Sequence, residues 1–194
     1  MKKIIHEALE SGIALRMQCL GVLDDDLLQA AGVMVKCLRD GGKILVCGNG
    51  GSASDAQHFV AELVNRFEIN RPALAAFAMV NDASVITSIS NDFDFHSIFA
   101  RQTEALGRKG DVLLGISTSG DSKNVIQAVD KAKTIAMDVI VLTGKDGGKL
   151  GKHQGVTVNV NINHPSTARV QEMHITCLHI LCSLIDETMF GNNE

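Results

Sequence analysis

Residues 43–54 have the sequence KILVCGNGGSAS, and this stretch decides the fold. It begins with a short apolar run, 43–47, which is typical of a buried strand, and continues in a turn of Gly, Asn and Ser. Helical periodicity follows over 53–67, so the turn connects a strand to a helix N-terminus. The free amides and positive dipole end of a helix hold anions, and glycines let a phosphate approach the backbone. The alternative is that these residues only form a turn and a helix cap.

The alternation of strand and helix continues along the chain. Further apolar runs predict strands at 74–80, 112–116, 139–142 and 156–162, and the last alternates Val and Ile with polar residues as an edge strand does. Helical periodicity marks 83–90, 95–106, 122–136 and 166–189. Strands that alternate with helices form a parallel sheet covered on both faces. The sequence therefore predicts an α/β protein, a three-layer doubly wound fold with a five-stranded parallel sheet flanked by helices.

Two predicted helices, 2–20 and 25–39, precede the first strand. The acidic residues at 24–26 suit a helix start, and Gly41 and Gly42 end the second helix. We expect residues 1–194 to form a single domain in which 1–40 are an N-terminal helical pair. The pattern is consistent with helices that cover the sheet and with helices that pair with another subunit.

The composition excludes several classes of protein. The chain has 194 residues, of which 45% are hydrophobic and 21% charged, so it is neither disordered nor collagen-like. The net charge is −4, there is no basic run, and Trp and Tyr are absent, which argues against a nucleic-acid surface. No stretch approaches the ~20 apolar residues of a membrane span. The five cysteines form no CxxC pair, so we expect reduced thiols and a cytoplasmic location.

A second turn rich in Ser and Thr follows the strand at 112–116. Residues 117–122, STSGDS, again open a helix. Neither turn has the Lys of a Walker motif or the GxGxxG fingerprint of dinucleotide sites, so ATP and NAD are disfavoured. In doubly wound sheets, ligands bind beyond the carboxyl ends of the strands. Two hydroxyl-rich turns at this edge predict a phosphosugar site.

Two of the predicted helices carry side chains that suit a metal or acid–base site. His58 and Glu62 have i,i+4 spacing and share one helix face. Gln171 and His179 lie about 80° apart around the last helix. Taken alone, a solvated His–Glu face and a His179 packed in the core are the simpler interpretations. His174 is about 140° from His179 around the helix, so we expect it to pack or to support the site, not to bind the same ion.

Five longer motifs contain or extend these features. They are CGNGGSASDAQHFVAEL at 47–63, SNDFDFHSIFARQ at 90–102, ISTSGDSKN at 116–124, LTGKDGG at 142–148 and ARVQEMHI at 168–175. Together they resemble the phosphoheptose isomerase family, which is built on the sugar isomerase (SIS) domain. The resemblance implies an aldose–ketose isomerase that converts D-sedoheptulose 7-phosphate to D-glycero-D-manno-heptose 7-phosphate through an enediol(ate). In the family this is the first step of nucleotide-activated heptose biosynthesis for surface lipopolysaccharide.

The resemblance also implies one Zn²⁺ per subunit, bound by His58, Glu62, Gln171 and His179, a donor set that suits zinc. It implies that Glu62 is the base and His179 the acid, while zinc polarises the sugar oxygens. Glu62 and Gln171 would also bind substrate. The remaining substrate-binding residues lie in three turns: Asn49, Gly50, Gly51, Asn91, Asp92, Ser117, Thr118, Ser119 and Ser122.

Two further positions have more than one interpretation, and a third departs from the family pattern. Asp92 either helps to open a cyclic sugar or caps a helix. Arg66 follows Glu62 by four residues and either orients it or forms a surface ion pair. Ala168 stands where some family members have an acidic residue, so no third carboxylate is available there.

The family implies a homotetramer with sites at subunit interfaces. Two other functions remain open at this point. One is a non-catalytic SIS-domain regulator that binds a replication-initiator protein, since LIDETMF at 184–190 resembles the ends of such relatives. Those relatives lack the complete metal set that is present here. The other is an isomerase of a different sugar phosphate.

Overall fold

The computed structural model describes residues 1–191 and contains one parallel sheet between two layers of helices. The strands are β1 (Ile44–Gly48), β2 (Ala76–Ala78), β3 (Val112–Ser117), β4 (Asp138–Gly144) and β5 (Val158–Ile162). The helices are α1 (Lys2–Cys19), α2 (Asp24–Arg39), α3 (Gly51–Val64), α4 (Ala83–Asp92), α5 (Ile98–Leu106), α6 (Lys123–Thr134), α7 (Gly148–Gly151) and α8 (Thr167–Phe190). A single 3-10 turn, Phe95–Ser97, precedes α5.

The strand order is β2-β1-β3-β4-β5, and all neighbouring strands are parallel. This confirms the predicted doubly wound sheet of five strands. The chain winds from β1 to β2 on one side and then returns to pair β3 with the other side of β1. The topological switch point therefore lies between β1 and β3, and the loops that follow these two strands meet at the carboxyl edge of the sheet.

Side chains of successive strand residues point to opposite faces of the sheet and fill two separate cores. Val46 and Leu114 pack in one core with α2, α3 and α8. Leu45 and Leu113 pack in the other with α5 and α6. β1 and β3 are buried along their whole length, whereas β5 alternates buried and half-buried residues, as predicted for an edge strand.

The two N-terminal helices have different environments. α2 buries six side chains and packs against α8, so it covers the sheet. α1 buries only Gly12 and Leu15, and it is held to α8 by a hydrogen bond from Arg169 Nη1 to the carbonyl of Ala8 (2.6 Å). The last three residues of the predicted 1–194 domain lie outside the described residues.

Several predicted boundaries differ from those observed. The strand predicted at 74–80 is only three residues long, because Leu74 donates its N–H to the carbonyl of Leu63 instead of joining the sheet. The helix predicted at 53–67 begins at Gly51 and ends at Val64, where the chain turns back toward β2. The helix predicted at 95–106 begins as a 3-10 turn, in which Asp94 accepts from Ser97 N. Helix α7 was not predicted.

All five cysteines are free, as expected, and four of them are buried. Burial raises the pKa of Cys47, Cys177 and Cys182 to about 12, so these thiols are unreactive near neutral pH. None of the helices within residues 1–191 is both long enough and apolar enough to span a membrane.

Candidate active site

The loop after β3 brings three serine hydroxyls together at the N-terminus of α6. Ser117 Oγ lies 2.9 Å from Ser122 Oγ and 3.4 Å from Ser119 Oγ. Ser117 is buried, and Ser119 and Ser122 are half-buried, as is the neighbouring Thr118. Clustered hydroxyls beside free helix amides form a site for an anion. We refer to residues 117–122 as the serine loop.

The loop after β1, which we call the glycine loop (residues 49–51), lies between the serine loop and α8. The side chains of Asn49 and Asn124 are paired by two hydrogen bonds, of 2.9 and 2.8 Å, in which each amide donates to the other. A Cβ atom on Gly51 would overlap the side-chain amide of Gln171, so a larger residue at position 51 would displace that amide. The predicted residues Asn49, Gly51 and Gln171 are therefore neighbours.

The loop after β4 supports the serine loop from the other side. A Cβ on Gly120 would overlap the carbonyl of Gly147, and Gly120 has a φ of 68°, so two backbones approach closely here. The main-chain N–H of Leu150 donates to the carbonyl of Gly120 (2.9 Å), and the main-chain N–H of Lys149 donates to Asp121 Oδ1 (3.1 Å). The end of the motif LTGKDGG and the two residues after it thus hold the serine loop in place.

His58, Glu62 and His179 form a cluster between α3 and α8. The Nε2 atoms of His58 and His179 are 2.9 Å apart, and one ring donates to the other. His58 Nε2 also lies 3.3 Å from Glu62 Oε1. Phe67 stacks on His179 with the ring centroids 5.5 Å apart. Of the two simpler interpretations, the core histidine is wrong, because His179 is only half-buried and its imidazole contacts His58 at an exposed position.

These donors suit a zinc ion by chemistry and nearly by spacing. Ligands at 2.0–2.1 Å from a tetrahedral zinc ion lie about 3.3 Å from one another. The distance from His58 to Glu62 matches this value, and that from His58 to His179 is about 0.4 Å shorter. Within residues 1–191, no three His, Cys, Asp or Glu side chains are already arranged as a metal site. Gln171 makes no hydrogen bond with the cluster, and the zinc site stays a prediction.

The third predicted turn lies at the end of α4. Asn91 Nδ2 donates to Asp92 Oδ1 (2.9 Å), and both residues are exposed. The alternative that Asp92 caps a helix is wrong, because Asp82 and Asp94 make the caps here. A cavity of about 180 Å³ separates α4 from the glycine loop. It is lined by Gly48, Asn49, Gly50, Ala53, Val80, Ile86, Phe95, Ile98 and Phe99.

Two buried titratable residues lie beside the predicted ligands. His174 Nε2 donates to the carbonyl of Thr143 (2.9 Å), and burial lowers its pKa to about 4, so it packs in the core as expected. Asp55 lies one turn before His58, and its Oδ2 is buried without a hydrogen-bond partner. Burial raises the pKa of Asp55 to about 6, although nearby His58 lowers it in part.

Two residues that shape the site, Arg71 and Asn124, have no role in the prediction from sequence. Arg71 donates to the main-chain carbonyl of Glu62 (2.8 Å) and pairs with Asp186 (2.6 Å) in the interior. Arg66, the predicted partner of Glu62, is exposed and forms no salt bridge with it. Asn124 was part of the motif ISTSGDSKN but received no role. The position of Asn124 just inside a helix was the only available signal, and Arg71 gave none.

Comparison with known proteins agrees with this arrangement. The sequence matches the SIS domain family over residues 10–144. It is 50% identical to a phosphoheptose isomerase from Methylibium petroleiphilum, with 93% of this chain and 90% of that protein covered. The structure resembles phosphoheptose isomerases from Neisseria gonorrhoeae (TM-score 0.90, 45% identity, 96% and 98% covered) and Francisella tularensis (TM-score 0.91, 42% identity, 95% and 97% covered). The chain therefore belongs to the SIS domain family and, within it, to the phosphoheptose isomerase family.

Proposed function

We propose that this protein is an aldose–ketose isomerase that converts D-sedoheptulose 7-phosphate to D-glycero-D-manno-heptose 7-phosphate. The observation that carries the proposal is the cluster of His58, Glu62 and His179, in a chain 50% identical to a phosphoheptose isomerase. The serine and glycine loops at the switch point supply the anion and sugar sites that such a substrate needs. The product would enter nucleotide-activated heptose biosynthesis.

In the proposed reaction, the serine loop and the amides at the start of α6 bind the phosphate. The glycine loop orients the sugar chain toward α3 and α8. Glu62 removes the proton from the carbon next to the carbonyl, and the resulting enediol(ate) receives the proton back at the neighbouring carbon. His179 donates a proton to the developing oxyanion on the former carbonyl oxygen, and it takes one back from the neighbouring hydroxyl, whose oxygen becomes the aldose carbonyl. The carboxylate of Glu62 and the imidazole of His179 both contact His58 Nε2, so the proposed acid and base lie in one cluster.

We propose one Zn²⁺ per subunit, bound by His58, Glu62, Gln171 and His179. When bound, zinc would supply a Lewis acid for the sugar oxygens. A carboxylate that binds a metal tightly is a weak base, so Glu62 must be free to move from ligand to base when substrate arrives. Glu62 fits this requirement, because Arg71 holds its main-chain carbonyl while its side chain is only half-buried and can move.

We also propose a cytoplasmic homotetramer with its sites near subunit interfaces. α1 supports the assembly, because Ile5, Leu9, Ile13 and Met17 are 58–66% exposed and recur every fourth residue. Five free thiols suit a reducing compartment.

The decisive experiment is an isomerisation assay on purified protein that has been stripped of metal and then titrated with Zn²⁺. The assay follows aldose formation from sedoheptulose 7-phosphate, with fructose 6-phosphate as a comparison ketose. We expect zinc-dependent turnover of the seven-carbon substrate. Absence of turnover from folded protein at every zinc concentration would favour a binding module, and preference for the shorter sugar would favour another sugar-phosphate isomerase.

Replacement of the base tests the assignment of Glu62. We expect Glu62→Gln to reduce kcat by at least about 100-fold, the usual contribution of a positioned base, with an unchanged circular dichroism spectrum. Glu104→Gln is the matched control, since Glu104 is an exposed carboxylate on α5, away from the cluster. Near-normal turnover of Glu62→Gln would contradict the assignment.

A further inference from the structure

We propose that Asn124 is a positioning residue, which fixes the distance between the serine loop and the glycine loop through its paired amide with Asn49. We call this pair of hydrogen bonds the amide bridge. The inference rests on the proposed function, because it concerns how one substrate is held at both ends.

The amide bridge joins the two loops at the switch point. Asn49 is the first residue after β1, and Asn124 lies two residues after Ser122 in the first turn of α6. Between the two side chains, each amide donates one hydrogen bond and accepts one, at 2.9 and 2.8 Å. Asn124 Oδ1 also accepts the N–H of Val125 (3.0 Å). Two polar side chains thus connect segments that are 75 residues apart in the chain.

Burial makes this connection rigid. Asn124 is only 2% exposed, so its amide has no water to replace a lost partner. Leaving a buried amide unpaired costs more free energy than a typical hydrogen bond contributes. The reciprocal geometry also fixes the plane of both amides, because neither can rotate without breaking both bonds. The bridge therefore adds a side-chain link between two loops that already follow neighbouring strands.

Because the bridge lies between the two loops, its loss should affect ligands that contact both loops more than ligands that contact one. A phosphosugar would contact the serine loop through its phosphate and the glycine loop through its carbon chain. Inorganic phosphate would contact the serine loop alone. Loss of the bridge should therefore weaken use of the phosphosugar while leaving the affinity for phosphate nearly unchanged.

The test compares Asn124→Ala with the wild type in three measurements: kcat/KM for sedoheptulose 7-phosphate, the inhibition constant of inorganic phosphate, and Tm. We expect kcat/KM to fall about tenfold, with the larger part in kcat, since misplacing the reacting carbon affects the chemical step. The inhibition constant should change by less than about twofold. Gln127→Ala is the control, because it removes an exposed amide from the same helix and should alter none of the three.

Breaking the bridge from its other side keeps the inference testable if Asn124→Ala folds poorly. Asn49→Ala should also lower kcat/KM without raising the phosphate inhibition constant. Where Asn124→Ala folds, the double variant should lose less than the product of the two single effects, because both remove one shared interaction. Independent effects, unchanged kinetics in Asn124→Ala, or a parallel rise in the phosphate inhibition constant would overturn the inference. Absence of turnover in the wild type would instead contradict the proposed function itself.

Discussion

His174 is a titratable side chain that the folded protein holds in its neutral form. Its ring lies in the interior, where Nε2–H donates to the carbonyl of Thr143 and Nδ1 has no hydrogen-bond partner. A charged imidazole would lose its hydration there, and burial therefore lowers the pKa from 6.5 to about 4. The unfolded chain takes up a proton at this residue between those two pH values, and the folded chain does not.

This difference makes stability dependent on pH. Because the folded pKa is lowered, the contribution of His174 is complete above pH 6.5 and is lost as the pH falls toward about 4, by about 3 kcal/mol in all. Asp55 acts in the opposite sense, since its pKa is raised. We expect His174→Gln to lose less stability than the wild type between pH 7 and pH 4.5 in urea unfolding. His6→Gln on exposed α1 is the control, and equal losses in all three proteins would contradict the argument.

The C-terminal end of helix α3 is capped by a side chain that lies outside the helix. Arg71 donates to the main-chain carbonyls of Glu62 and Leu63, both at 2.8 Å. These carbonyls lie in the last turn of α3, where no N–H group within the helix is available to them. Arg71 Nε donates to Asp186 on α8 at 2.6 Å. One buried guanidinium therefore ends α3 and attaches it to the helix that carries His179.

Removal of this guanidinium should be costly. We expect Arg71→Met to lower the free energy of unfolding by about 3–5 kcal/mol, because Asp186 would be left as an unpaired buried charge. The double variant Arg71→Met/Asp186→Leu should recover part of that loss. Lys36→Met, which breaks the exposed pair with Asp40, should have little effect on the same urea curves. A small loss in Arg71→Met would show that the pair does not hold the two helices.

The elements that follow from local periodicity could be predicted, and those that depend on distant residues could not. The apolar runs at β1, β3 and β4 and the i,i+4 spacing of His58 and Glu62 are local signals, and the structure agrees with them. The end of α3 depends on Arg71, and the link between the two loops depends on Asn124. Neither contact leaves a periodic trace in the sequence, because each joins segments that only the fold brings together.

At the scale of the whole molecule, α1 presents an apolar face that this chain does not cover. Gly12 and Leu15 face α8, while the stripe of Ile5, Leu9, Ile13 and Met17 is exposed. An exposed stripe with an apolar residue at every fourth position is typical of a helix that packs against another helix. The proposed tetramer would bury it.

A charge within the stripe should therefore disturb assembly. We expect Ile13→Asp to form a smaller species than the wild type in multi-angle light scattering, with a lower turnover that follows dissociation. Glu10→Gln, on the same helix but outside the stripe, should keep the wild-type mass. A wild-type protein that is already monomeric, or an Ile13→Asp variant with unchanged mass, would contradict the assignment of this face.

The elements that carry the site, strands β1 and β3 and helix α4, should also differ in how readily they unfold locally. β1 and β3 are buried along their whole length, and the loops that follow them are held by their strands. α4 carries Asn91 and Asp92, yet none of its ten residues is buried. Backbone amides in β1 and β3 should consequently be among the last to exchange with deuterium, and those of α4 among the first. Addition of a sugar phosphate should then slow exchange chiefly in α4, because α4 is the exposed element of the site and carries Asn91 and Asp92.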